Sequence, residues 1–269
     1  MRETLIRTLS GLIYILLLLT AILITENGIS FIILFGIFML IAVIEFCNLT
    51  HLSKTLPIAI ALVFYTLFSF YTSFDATTTL LIVAASLFVS VKLLYFLFDN
   101  RPQKTDQLSK FVNLIGYIVL PITLITKLPF INSVYTPGII IGIFILMWTN
   151  DTFAYIVGKS IGKRKLFERI SPKKTTEGFF GGIIFTLLFS FIIAHYLNQP
   201  NYIWMATALI ISIFGTFGDL IESKFKRIAG VKDSGKIMPG HGGILDRLDS
   251  IIFVSPILFL FYQIINYVS

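Results

Sequence analysis

The sequence is short of charge and of reactive side chains. Charged residues are 13% of its 269 positions, about half the ~25% of a soluble domain, while 56% are hydrophobic. That balance excludes an ordinary water-soluble fold. A single cysteine, Cys47, lies inside an apolar run, which excludes a disulfide framework and makes it a small packing residue. His51 and His195 lack spaced partners and read as interfacial or packing residues. There is no internal repeat and no low-complexity linker. The first apolar run, about 9–25, has no small-x-small cleavage site, so it is expected to be retained rather than removed as a secretory signal. Gly158-Lys159-Ser160 is not a P-loop, because Phe153 stands where the motif needs glycine.

What is present is a series of apolar runs, each long enough to cross a ~30 Å hydrocarbon core as a helix. They predict nine spans, near 8–25, 29–49, 56–73, 77–97, 111–128, 134–157, 178–197, 202–221 and 250–267. The expected fold is an all-α integral membrane bundle of about nine helices, with 1–130 as N-terminal helices and 131–269 as a C-terminal catalytic region of one membrane domain. Pro121 should kink the fifth span. Glycines four apart, at 138/142, 158/162 and 178/182, should allow close helix contact.

A net charge of +7 could suggest nucleic acid, but its distribution points elsewhere. With a cytoplasmic N-terminus, all of the 21 basic residues except Lys92 and Lys127 fall on one side. This positive-inside bias predicts a multi-pass membrane protein with its N-terminus cytoplasmic, its C-terminus outside and no nucleic-acid partner; a bacterial inner membrane is the expected setting. Polar residues within the spans share the asymmetry. Glu45, Lys92, Asn150, Asp151 and Asp219 all lie near cytoplasmic helix ends. Buried ionisable groups are costly in a membrane, so their gathering at one depth predicts a polar chamber at the inner leaflet.

The most informative stretch is 223–249, SKFKRIAGVKDSGKIMPGHGGILDRLD, a polar island between apolar runs. Its six basic residues suit phosphate, and its glycines allow close backbone approach to an anion. Asp246 and Asp249 are three apart at a helix start and so share a face. Carboxylates of this kind suit Mg²⁺, which leaves coordination sites for substrate phosphates. Asp219, with Glu222 and Ser223, ends the preceding helix and is expected to face Asp246 across the basic loop; two such carboxylates could hold one or two divalent ions. Two further constellations stand upstream. Asn150-Asp151 could bind metal-linked water or a nucleotide hydroxyl. In Ser171-Pro172-Lys173-Lys174-Thr175-Thr176-Glu177-Gly178, a threonine caps a helix whose N-terminus, with Lys173 and Lys174, can grip phosphate.

Ser223-x-Phe225-Lys226-Arg227, Lys232-Asp233-x-Gly235 and Pro239-x-His241-Gly242-Gly243-Ile244-x-Asp246-Arg247-Leu248-Asp249 together resemble the signature of the phosphatidate cytidylyltransferases, or CDP-diacylglycerol synthases. Asn150-Asp151 and the 171–178 segment resemble further family segments. The likeness covers roughly the C-terminal half. Met238 and Thr176 depart from the residues usual there, at positions that carry no metal or phosphate group.

The resemblance implies CTP and phosphatidate as substrates, CDP-diacylglycerol and pyrophosphate as products, and a homodimer as one arrangement. Phosphatidate supplies its own nucleophile. Asp219, Asp246 and Asp249 would hold Mg²⁺, one or two ions, with room for a monovalent cation. Lys226, Arg227, Lys232 and Arg247 would hold phosphates, beside Ser223. The His241-Gly242-Gly243 turn would offer backbone donors, and Lys173 and Lys174 would draw in anionic substrate. Two rivals use similar residue types. A CTP-dependent lipid kinase would release CDP. A transporter would place its polar groups near the bilayer midplane or along a whole path.

Overall fold

A computed structural model describes residues 2–70, 76–99, 106–130 and 134–268. Among these, eight helical segments are long and apolar enough to span a membrane, and Thr55–Phe70 is a shorter apolar helix. The nine predicted runs are therefore all helical; residues 71–73 of the third lie outside the described residues. In chain order the helices are α1 (Arg2–Leu23), α2 (Ile29–Thr50), α3 (Thr55–Phe70) and α4 (Ala76–Phe98). The fifth span joins α5 (Gln107–Leu114), a π-helical turn (Ile115–Val119) and α6 (Leu120–Lys127). Then follow α7 (Pro137–Ile161), α8 (Thr176–Tyr196), α9 (Asn201–Ile228) and α10 (Leu245–Val268).

Pro121 has no N–H to give to the carbonyl of Tyr117, four residues back. The helix meets this by widening to the π-turn just before it, so the span continues. The carbonyl of Pro121 accepts Ser255 Oγ of α10 at 3.0 Å, tying the fifth span to the last.

The glycine spacings work as contact surfaces. On α8, an added Cβ at Gly178 would stand 2.5 Å from the carbonyl of Ala154, and at Gly182 2.7 Å from Asn150 Oδ1, so α7 and α8 nearly touch along their backbones. At Gly218 of α9 it would meet the Asp249 carbonyl of α10 at 2.6 Å. Phe225, inside the signature stretch, packs its ring against Phe46, Phe96 and Tyr117 at 5.1, 4.9 and 6.2 Å. This aromatic knot ties α9 to α2, α4 and the π-turn, joining the two halves of the chain.

Two short strands depart from an all-helical reading. β1 (Lys165–Phe167) and β2 (Ser171–Thr175) form an antiparallel hairpin between α7 and α8. Alternation along β2 turns Lys173 outward and Lys174 inward. Thr175 caps α8, its Oγ1 accepting Gly178 N–H at 3.2 Å. Glu177 reaches back to the backbone N–H of Lys163, at 3.0 Å, and of Arg164.

Candidate active site

The helix pair α9–α10 carries the site. α9 runs to Ile228 rather than ending near 221, so Asp219, Glu222, Ser223 and Lys226 fall on one helical face. α10 begins at Leu245, so Asp246 and Asp249 open it. The backbone contact between Gly218 and Asp249 sets the register of the pair. It brings Asp249 level with Asp219, where the sequence reading had Asp246. Lys226, two turns further along α9, is the residue that reaches Asp246, at 2.6 Å. Lys226 also pairs with Glu222.

From the other side the hairpin delivers Lys174, whose Nζ lies 2.5 Å from Asp219 Oδ2. Ser223 Oγ donates to Asp219 Oδ1 at 3.1 Å. Lys174 also feels the charges of Asp151 and Asp249. Burial opposes its charge, but the Asp219 carboxylate outweighs that and holds the ammonium protonated above the usual lysine range. Asp219 lies deep in the fold, yet its side chain keeps 34% of its accessible surface. A group enclosed on most sides and still open to solvent lines a chamber.

Asn150 and Asp151 stay together, the Asn150 side chain hydrogen-bonding Asp151. Asn150 is buried against Gly182 of α8, while Asp151 is exposed and interacts electrostatically with Lys174, Asp219 and Arg247.

The loop before α10 is largely self-satisfied. His241 and Gly242 N–H both donate to the Met238 carbonyl, at 2.9 and 3.1 Å, and Gly243 N–H donates to Asp246 Oδ2 at 2.7 Å. These donors are committed within the loop, a correction to their expected place on a phosphate. The turn needs glycine at 240 and 242, where φ is +76° and +88°. Asp246 is fully engaged: Oδ1 by Lys226, Oδ2 by Gly243 N–H and by Ser234 through its N–H and Oγ, both at 2.8 Å. Arg227 spends its guanidinium on the carbonyls of Ile170 and Val231. Lys173, Lys232 and Arg247 are exposed.

Three residues gain roles that sequence reasoning did not assign. Glu45 of α2 accepts N–H groups of Ile244 and Leu245 and stands 3.0 Å from Ser234 Oγ. Its polarity within an apolar run was the available signal; its partner about 200 residues away was not visible. Lys224 is not a phosphate group at all. Its Nζ caps the C-terminal carbonyls of α4, with Asp99 O at 2.7 Å, and lies 4.2 Å over the Phe96 ring. Tyr117 brings a buried hydroxyl without a hydrogen-bond partner, close enough to feel Glu222, Asp249 and Asp219. Lys92, expected near the inner end of α4, bonds Ser109 Oγ at 2.6 Å.

The carboxylates at this end of the bundle are hard oxygen donors, the type of ligand that suits a divalent cation such as Mg²⁺. Asp151, Asp219 and Asp249 interact electrostatically, and Glu222 Oε1 is buried without a hydrogen-bond partner. Among the described residues no group of three acidic, histidine or cysteine side chains is placed to hold a metal ion.

Fold and site together define a multi-pass helical membrane protein with a carboxylate–lysine chamber at one end of its bundle. The sequence matches the model of the cytidylyltransferase family over residues 5–265, and the chain belongs to that family. It is similar to proteins named phosphatidate cytidylyltransferase from Staphylococcus epidermidis, Staphylococcus haemolyticus and Staphylococcus aureus, at 51%, 52% and 50% identity over 117 residues. That aligned stretch is 43% of this chain and 45% of each relative's length, so the chain spans less than half of the relatives it matches.

Proposed function

We propose that the protein is a nucleotidyltransferase that moves CMP from CTP to phosphatidate, giving CDP-diacylglycerol and pyrophosphate for phospholipid synthesis. The observation that carries this reading is the electrostatic interaction of Asp219 with Asp249 across the α9–α10 contact at Gly218, with Lys174 on Asp219 and Lys226 on Asp246. A phosphate oxygen of the lipid attacks the α-phosphorus of CTP, and the bond to pyrophosphate breaks. Both partners are anionic, so positioning and charge neutralisation are the main catalytic work. Asp219 and Asp249 would hold Mg²⁺, which neutralises charge on the phosphoryl oxygens. Asp246, saturated by its partners, fixes Lys226 and the signature loop around them. Lys174 and Lys226 hold positive charge at the chamber wall, Arg247 is exposed within charge range of Asp151, and Lys232 is exposed on the loop before α10.

The reading places the chamber at the cytoplasmic face of a bacterial inner membrane, with the N-terminus inside, because the basic loops gather there. The test is to incubate purified protein with labelled CTP, phosphatidate and Mg²⁺ and identify the product. Label in CDP-diacylglycerol is expected. Label recovered as free CDP would make the protein a CTP-dependent kinase, and no turnover would overturn the reading.

A further inference from the structure

The first helix carries one polar stripe on an otherwise apolar surface. Arg7, Ser10, Gly11 and Tyr14 recur at helical spacing, and the structure turns them to the signature loop. Ser10 Oγ lies 2.7 Å from His241 Nδ1 and 3.0 Å from the Pro239 carbonyl. An added Cβ at Gly11 would stand 3.3 Å from the His241 ring, and one at Gly240 would stand 2.7 Å from Arg7 Cγ. Glycine at both positions lets α1 and the loop lie close, and at 240 the positive φ favours it as well.

Carbonyls can only accept. Ser10 therefore meets the most partners by giving its proton to a carbonyl and accepting from His241 Nδ1–H. Nε2 is then the free nitrogen of the ring. Arg247 interacts electrostatically with His241, with Tyr14 of α1 and with Asp151 of the chamber, so it stands between the α1 stripe and the carboxylates. Arg7 and Arg247 are exposed, and neither has a carboxylate within salt-bridge distance among the described residues. Unpaired guanidiniums beside an imidazole make an anion site, and guanidinium is the group best shaped for phosphate.

The geometry points to Arg7, with His241 and Arg247, as the receiving site for the phosphate of the lipid substrate, with α1 as its membrane-side wall. The inference rests on the function proposed above and adds a residue from the half of the chain outside the signature. The source of the phosphate follows from position. The remainder of α1 presents Leu9, Leu12, Ile13 and Leu16 outward, each more than half exposed, as a helix against acyl chains does. A lipid held along α1 would set its headgroup at Arg7, one step from Arg247 and the chamber. The triphosphate of CTP, carried on a water-soluble nucleotide, comes from the aqueous side.

The experiment compares native protein with Arg7→Gln and Arg7→Lys in mixed micelles, varying dioleoyl phosphatidate and CTP separately. Loss of one charged phosphate contact should raise KM for phosphatidate about tenfold or more in Arg7→Gln, with KM for CTP unchanged. Arg7→Lys should recover part of the loss, and the melting temperature of both variants should match the native protein. A rise in KM for CTP, or no change in either, would overturn the inference. Binding of labelled phosphatidate to the purified proteins without CTP separates this failure from that of the function. If native protein makes no CDP-diacylglycerol but Arg7→Gln still loses phosphatidate binding, the site stands and the activity falls.

Discussion

Glu45 Oε2 accepts the backbone N–H of Leu245 at 2.8 Å, so a carboxylate from α2 caps the helix that carries Asp246 and Asp249. Its other oxygen takes Ile244 N–H at 3.1 Å. The first N–H groups of a helix have no partner within it, and negative charge is favoured there. The fit is close: an added Cβ at Gly235 or Gly243 would stand 2.3 Å from Glu45 Oε1. Glu45→Ala should therefore cost about 2–5 kcal/mol, as two buried donors lose their acceptor, and Glu45→Gln less. Thermal melts in detergent check this, and an unchanged Glu45→Ala midpoint would contradict it.

The two carboxylates of α10 should respond differently to removal. Asp249 accepts a hydrogen bond from the N–H of the adjacent Ser250, whereas Asp246 holds Lys226, Ser234 and Gly243. Asp249→Asn is expected to lower turnover about 100-fold or more with little change in melting temperature. Asp246→Asn should lose turnover and about 1–3 kcal/mol of stability while remaining folded. Product assays beside melts separate the two effects; equal destabilisation by both variants would count against this division of labour.

Chelation tests the proposed use of Mg²⁺. As no group of three acidic, histidine or cysteine side chains among the described residues is placed to hold a structural metal, EDTA should abolish product formation and leave the melting temperature unchanged, and Mg²⁺ should restore activity. A large drop in melting temperature on chelation would indicate a structural metal instead.

Lys224 offers a control within the signature stretch. Its ammonium is spent on the end of α4, so Lys224→Met should cost about 1–3 kcal/mol of stability and leave KM for CTP unchanged. A raised KM would return Lys224 to the phosphate-binding set.

His241 gives a pH signature. Burial, then Arg247 and Arg7, hold its pKa below the ordinary histidine value of about 6.5. As pH falls through that value the unfolded chain takes up the proton first, so stability drops with falling pH until the folded histidine also titrates. His241→Gln should flatten that part of a melting curve series run from about pH 7.5 to about pH 5. An identical slope in both proteins would show that His241 does not contribute.

Much of this was legible along the chain. Apolar runs of membrane-spanning length set the helices, because a backbone in hydrocarbon must satisfy its own hydrogen bonds. The signature carboxylates and lysines were likewise visible, since buried charge in a membrane is too costly to keep without a use. The helix ends were less so. α9 and α10 run past the apolar limits because polar residues there pair with one another rather than with water.

What the tertiary structure alone decided is which charge meets which. Sequence spacing could not make Glu45 the partner of Leu245, Lys224 the cap of α4, or Asp249 rather than Asp246 the neighbour of Asp219. Those pairings depend on helix register, set by glycine contacts such as Gly218 against Asp249 and by the ring cluster around Phe225. Residue types fix what a side chain can do; only packing brings groups far apart in sequence within the few ångströms where hydrogen bonds and charge act.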